Sequence, residues 1–237
     1  MGRTSHRVES PQYIPAEVIR VLTFAELIRE ALGALAARRP IFHSEADLQH
    51  ELAIQIARVD PDVSLRLERP VRLPDTKPIN LDVMLRRGDQ QYALELKYVT
   101  AQLAVEVGGE EFLLKSQSAQ DLRRYDILKD IARIEQLIAA GVVSGGMSVT
   151  ITNDRSLWQT ASRAATNDEA FRLHNGRVVT GSLGWADHAA PGTIRGREKA
   201  LEITGAYSLE WAEYSQIDAP RNGDFRMLIA EVAHLQE

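Results

Sequence analysis

Three side chains in this 237-residue chain have the types and spacing to do chemistry together: Asp82, Glu95 and Lys97. Two carboxylates on adjacent strands offer oxygen donors to a hard divalent cation, and an ammonium beside them can hold a phosphate or steady a water. Their setting gives them weight. Asp82 sits between Leu81 and Val83 in the apolar run 78–85, and Glu95 and Lys97 interrupt the apolar run 91–99. Both runs are rich in β-preferring residues, and the stretch 86–90 between them carries Gly88 and Asp89, so the pair predicts a β-hairpin. Side chains alternate across a strand, so Glu95 and Lys97 share one face while Leu94, Leu96 and Tyr98 take the other. A sheet that buries both faces has little reason to gather three charges in one patch unless they form a site.

A helix can bring a fourth group. Ser44 and Asp47 have the spacing of a capping box, and Leu48, Leu52, Ile56 and Val59 follow as one apolar stripe that Asp60–Pro61 stops. At ~100° per residue Glu45 falls within that stripe and Glu51 to its side. An acid there either complements the helix dipole, worth a few tenths of a kcal/mol, or is aimed at the sheet. The second reading makes Glu45 a site residue.

Other elements frame these. Residues 15–39 predict a helix with Pro15 in its first turn and a break near Thr23, and residues 63–71 alternate as a strand whose Arg66 reads as solvated. A hairpin turning on Gly108–Gly109 spans 103–114. The longest helix covers 116–140, ended by Gly141, with a stripe of Leu122, Tyr125, Leu128, Ala132 and Ile138. This helix either carries a core Tyr125 with surface pairs, Asp126 with Lys129 and Asp130 with Arg133, or supports a site through its first turns. A strand over 147–152 and a helix over 154–165 follow, then long loops over 174–205. Two final strands, 207–211 and 225–232, are expected to pair across 218–224.

An Asp on one strand followed by Glu-x-Lys on the next resembles the PD-(D/E)XK nuclease superfamily, here as Asp82 and Glu95–Leu96–Lys97. Leu81 stands where that pattern has proline, with Pro78 nearby. The order helix, three strands, helix, strand over 44–152 matches the same core. The resemblance implies an α/β, restriction-endonuclease-like fold: a mixed central sheet flanked by helices, with extra C-terminal strands and loops. It divides the chain into an N-terminal helical extension (1–43), the nuclease-like core (44–152) and a C-terminal elaboration of the same domain (153–237). It further implies Mg²⁺, with Mn²⁺ able to substitute, held by Asp82, Glu95 and the Leu96 backbone carbonyl. Glu45 would serve a second ion or its water, and Lys97 would orient or deprotonate the attacking water. Gln120, Arg124 and Tyr125 resemble a supporting group on the helix after the active-site strands. Arg195, Arg197 and Lys199 are candidate phosphate contacts. The expected activity is phosphodiester hydrolysis, foremost in DNA, with nucleic acid as partner, no membrane contact and a homodimer as a candidate assembly. The alternative is a catalytically inactive module of the same fold that binds nucleic acid or a protein.

Composition narrows the choice. A net charge of −5 argues against a nucleic-acid coat held by bulk positive charge. The absence of cysteine rules out disulfides, zinc–thiolate sites and cysteine nucleophiles. No Gly-rich phosphate loop or metal-ligating His pair occurs; His43 and His50 flank Glu45 in sequence and read as ordinary histidines. No run reaches the ~18 apolar residues of a membrane span, and the first residues lack the apolar stretch of a secretory signal. A cytoplasmic location is the expectation.

Overall fold

The computed structural model describes residues 21–73, 78–161 and 165–233. Thr23 and Glu26 cap each other reciprocally at the start of α1 (Phe24–Arg38), so the expected break near Thr23 is the start of the helix. The expected stretch from Pro15 to residue 20 lies outside the described residues. Ser44 accepts from the Asp47 amide at 3.2 Å to start α2 (Glu45–Val59). The capping box stays open, because Asp47 instead accepts from the His43 amide and pairs with Arg39.

Strands β1 (Ser64–Val71), β2 (Ile79–Arg87) and β3 (Gln90–Val99) come next, then a separate hairpin of β4 (Leu103–Val107) and β5 (Glu110–Leu114). Helix α3 (Gln120–Ala139) precedes β6 (Gly145–Thr152). A short turn of helix at Arg155–Trp158 leads to β7 (Arg177–Leu183), and a second at Pro191–Ile194 separates it from β8 (Leu201–Leu209), β9 (Trp211–Gln216) and β10 (Asp224–Ala233). The central sheet runs β1-β2-β3-β6-β10-β9, with β3 and β6 parallel and the other neighbours antiparallel. The molecule is therefore mixed α/β, a mixed central sheet flanked by helices. Strand β6 is buried at every position.

Two cores lie on the two faces of the sheet. On one, Leu27, Leu32, Leu48, Leu52 and Ile56 of α1 and α2 meet Leu94, Leu96 and Tyr98. On the other, α3 lies between the sheet and the β7–β8 ribbon, whose Leu201, Ile203 and Leu209 share its core. Glu135 of α3 ties the ribbon down, accepting from the Thr204 and Gly205 amides and the Tyr207 hydroxyl. Contact between α3 and β6 is tight: a Cβ on Gly146 would lie 2.4 Å from Ile134 Cγ2. Among the described residues no helix is long and apolar enough to cross a membrane.

The C-terminal expectations need correction. Residues 174–205 are not all loop, since β7 and the start of β8 fall within them. Strand β7 buries only Val179 and Leu183 and is interrupted at Gly181 (φ +77), so it shows no alternation. The expected strand 207–211 is split between β8, which pairs with β7, and β9, which pairs with β10. The helix expected over 154–165 shrinks to Arg155–Trp158 under an Asp154 cap, with residues 162–164 outside the described residues. Helix α3 begins at Gln120 because Ala119 is left-handed (φ 62).

Candidate active site

Pairing of β2 with β3 runs from Arg87↔Gln90 to Val83↔Leu94 and stops there. Leu81 and Met84, three residues apart, both pack in the α3-side core, so β2 leaves strict alternation next to Asp82. Glu68, across from Asp82 on β1, has a left-handed backbone (φ 49). Gln49 of α2 spans this break, donating to the Asp82 carbonyl at 2.7 Å and the Glu68 carboxylate at 2.9 Å. The Asp82 carboxylate accepts from the Leu96 amide at 2.7 Å, closing the gap where the strands part.

Lys97 is the hub. Its Nζ lies 3.0 Å from Asp130, 3.8 Å from Asp82 and 4.0 Å from Glu45, and donates to the Leu96 carbonyl at 2.8 Å. Glu45 arrives from the start of α2, accepts from the Tyr98 amide at 2.9 Å and keeps 46% of its side chain exposed. Glu95 is wholly buried. Arg133 of α3 donates to its Oε1 at 2.7 Å and stands 3.6 Å from Asp130, while Glu95 Oε2 has no hydrogen-bond partner among the described residues.

Four acids thus face two cations, and the full ionised set carries an excess of negative charge. Burial, then the Asp130 charge, pushes the Glu95 carboxyl well above its usual range against the pull of Arg133. Burial also raises Asp130, opposed by Lys97 and Arg133, and raises Glu45, opposed by Lys97 and the Tyr98 amide. For Lys97 burial works against the ammonium, but Asp130, Glu45 and Asp82 outweigh it and the pKa rises. Lys97 is a firm cation.

The structure brings together Asp82, Glu95, Lys97, the Leu96 carbonyl and Glu45. It leaves Glu51 on a flank, paired with Arg38 at 2.9 Å. The candidate supports lie elsewhere. Gln120 bonds the Gln117 carbonyl and Asp154. Arg124 is buried against Asp168 at 2.7 Å, and Tyr125 stacks on Trp185 and donates to the Lys199 carbonyl. Arg197 is held by Asp126, displacing the expected Asp126–Lys129 pair, while Arg195 and Lys199 are exposed.

Asp130 and Arg133 are the residues that sequence reading misplaced. They do approach each other, but Asp130 is only 4% exposed and serves the strands, not the surface. A signal existed: Ile127, Ile131 and Ile134 form a second apolar stripe on α3, and Asp130 lies on it. Among the described residues no three His, Cys, Asp or Glu side chains are grouped so as to hold an ion by themselves. The donor set nonetheless suits a hard cation: oxygen ligands only, an excess of acid, and the partnerless buried Glu95 Oε2. Comparison with protein-family models, curated proteins and solved structures finds no match for this chain.

Proposed function

We propose that the chain is a metal-dependent nuclease of the PD-(D/E)XK type, with a restriction-endonuclease-like core, hydrolysing phosphodiester bonds in DNA. The observation that carries this reading is the gathering of Asp82, Glu95, Lys97 and Glu45 where β2 and β3 part. The succession α2, β1, β2, β3, α3, β6, with β3 parallel to β6, supports it further. Asp82, Glu95 and the Leu96 carbonyl would hold Mg²⁺, with Glu45 at a second ion or its water. The bound ion supplies a more acidic water and neutralises charge developing on the phosphate.

The residues do the rest. Lys97, kept protonated by its acid neighbours, donates to a phosphate oxygen or to the attacking water, and acts as an orienting cation more than as a base. Glu45, the most exposed of the four acids and raised in pKa, accepts the proton of that water. The water oxygen bonds phosphorus in line as the opposite P–O bond breaks, and solvent protonates the leaving oxygen. The inactive-module reading draws on one observation, the Arg133 guanidinium on Glu95 at 2.7 Å, which makes the cluster a closed ion network.

Incubation with plasmid, single-stranded DNA and RNA, with and without Mg²⁺ or Mn²⁺, tests the proposal. Cleavage is expected with metal, absent in EDTA, and nearly abolished by Asp82→Ala, Glu95→Ala or Lys97→Ala in variants that keep the fold. Metal-independent cleavage, or indifference to all three substitutions, refutes it.

A further inference from the structure

On the α3 side of the sheet, beside the helix, a groove of about 540 Å³ opens over β1 and β2. Arg66, Arg69 and Arg86 line it, with Met84 and Gln91 between them and Glu68 as its acid. All three arginines are exposed. Each spends one donor on a neutral oxygen at 2.8 Å: Arg66 on the Leu65 carbonyl, Arg69 on Gln91 Oε1, Arg86 on the Gly88 carbonyl. A guanidinium has five N–H donors, so most remain available. Among the described residues none of the three forms an ion pair, and Glu68 is engaged by the Gln49 amide. In a chain of net charge −5, three unneutralised arginines in one groove are a local exception.

Their order along the sheet gives the groove a direction. Arg86 pairs with Ser64, Arg66 with Met84 and Arg69 with Leu81, the neighbour of Asp82. The row thus runs toward the acid cluster. At ~3.3 Å per strand residue it starts about 13 Å from Asp82 and ends beside it. One nucleic-acid strand advances ~3.4 Å per nucleotide, so this length covers roughly four phosphates. A planar guanidinium with several free donors is suited to phosphate oxygens.

We propose that this groove binds the phosphodiester backbone of a DNA strand and leads it to the acid cluster. The inference rests on the nuclease reading. Arg66, Arg69 and Arg86 act as cations that position the strand without touching the reacting phosphate. They set affinity and leave the chemical step alone.

The test measures binding of a fluorescent 20-base-pair duplex in EDTA at 50 to 200 mM NaCl. It compares the wild type, the triple variant Arg66→Ala/Arg69→Ala/Arg86→Ala, and a triple Arg→Lys variant that keeps the charge. Three lost phosphate contacts should lower the log–log salt slope by about 2.7, so across that range the wild type loses roughly forty-fold more affinity than the alanine triple. The lysine triple should retain the wild-type slope. With Mg²⁺, KM should rise in the alanine triple and kcat stay within about two-fold, the split expected when only substrate holding is lost.

Wild-type affinity and slope in the alanine triple, alongside metal-dependent cleavage by the wild type, overturn the groove and leave the nuclease reading standing. A slope change without cleavage by any form keeps the groove and removes the catalytic reading. Loss of affinity for polyglutamate but not for the duplex overturns the DNA assignment in favour of an acidic peptide.

Discussion

Replacing Arg133 with Met keeps the length of the stem and removes the charge that faces Glu95. Glu95 is wholly buried and its contact with Arg133 is 2.7 Å, so the variant leaves a carboxylate in the interior without its main counter-charge. Breaking one side of a buried pair costs about 3–5 kcal/mol. At about 2–4 °C of Tm per kcal/mol for a chain of this size, the melting point should fall by roughly 6–20 °C at pH 8. The sign of the pH dependence follows from the raised folded pKa of Glu95. Such a carboxyl contributes fully below its unfolded pKa and loses that stability as pH rises toward the folded value. Removing Arg133 raises the folded value further, so the deficit should shrink near pH 5, where Glu95 is protonated, to about 1 kcal/mol for the lost hydrogen bond. Thermal melts of wild type and variant at pH 5, 6.5 and 8, each with and without Mg²⁺, check this. Because Arg133 and an ion compete for one carboxylate, Mg²⁺ should raise the Tm of the variant more than that of the wild type. A deficit that is flat with pH would refute the reasoning, and so would a variant as stable as the wild type at pH 8.

Three further outcomes follow from the same geometry. Glu45→Gln should lower metal-dependent cleavage strongly while Glu51→Gln, which loses only a surface partner of Arg38, changes it little; rates at several Mg²⁺ concentrations compare them. Asp168→Ala orphans the buried Arg124 and should cost about 3–5 kcal/mol in denaturant melts, with kcat unchanged in the folded fraction. Gly146→Ala drives a methyl into Ile134 and should cost about 1–3 kcal/mol, with cleavage falling as well because α3 carries Asp130 and Arg133; unchanged stability would show that α3 yields without strain.

The hairpin was legible because it depends on alternation and a short turn, both local properties. Glu45 was legible for a similar reason: one helical stripe contains it, and a stripe that packs on a sheet carries its first-turn residue along. Asp130 was not. Reading α3 for a single stripe selects Leu122, Tyr125 and Leu128, yet the helix is buried on two sides, against the sheet and against the β7–β8 ribbon. A helix covered twice needs two stripes, and Asp130 belongs to the second. Arg124 misled in the opposite sense, because its partner Asp168 lies 44 residues away and nothing near it in sequence announces a buried pair. Strand β7 stayed hidden because Val178 is exposed and Gly181 interrupts its register, while β8 does alternate, with Leu201, Ile203 and Leu209 turned inward, and its first half went unread within 174–205.

The parallel contact between β3 and β6 has a consequence for the time course of folding. It joins Tyr92 to Gly145 and Val99 to Thr152, and β6 in turn waits for β10, where Thr152 meets Arg226. Such distant pairings close slowly compared with a hairpin, since the loop entropy is lost before the contacts form. The β2–β3 hairpin can therefore arise early with Asp82, Glu95 and Lys97 on it, while Asp130 and Arg133 arrive only when α3 docks. In that interval the nascent strands expose both charges and unpaired edges, which are templates for another chain. A chain cut before β9 would keep an unpaired edge permanently, since without β10 the buried strand β6 becomes the edge of the sheet.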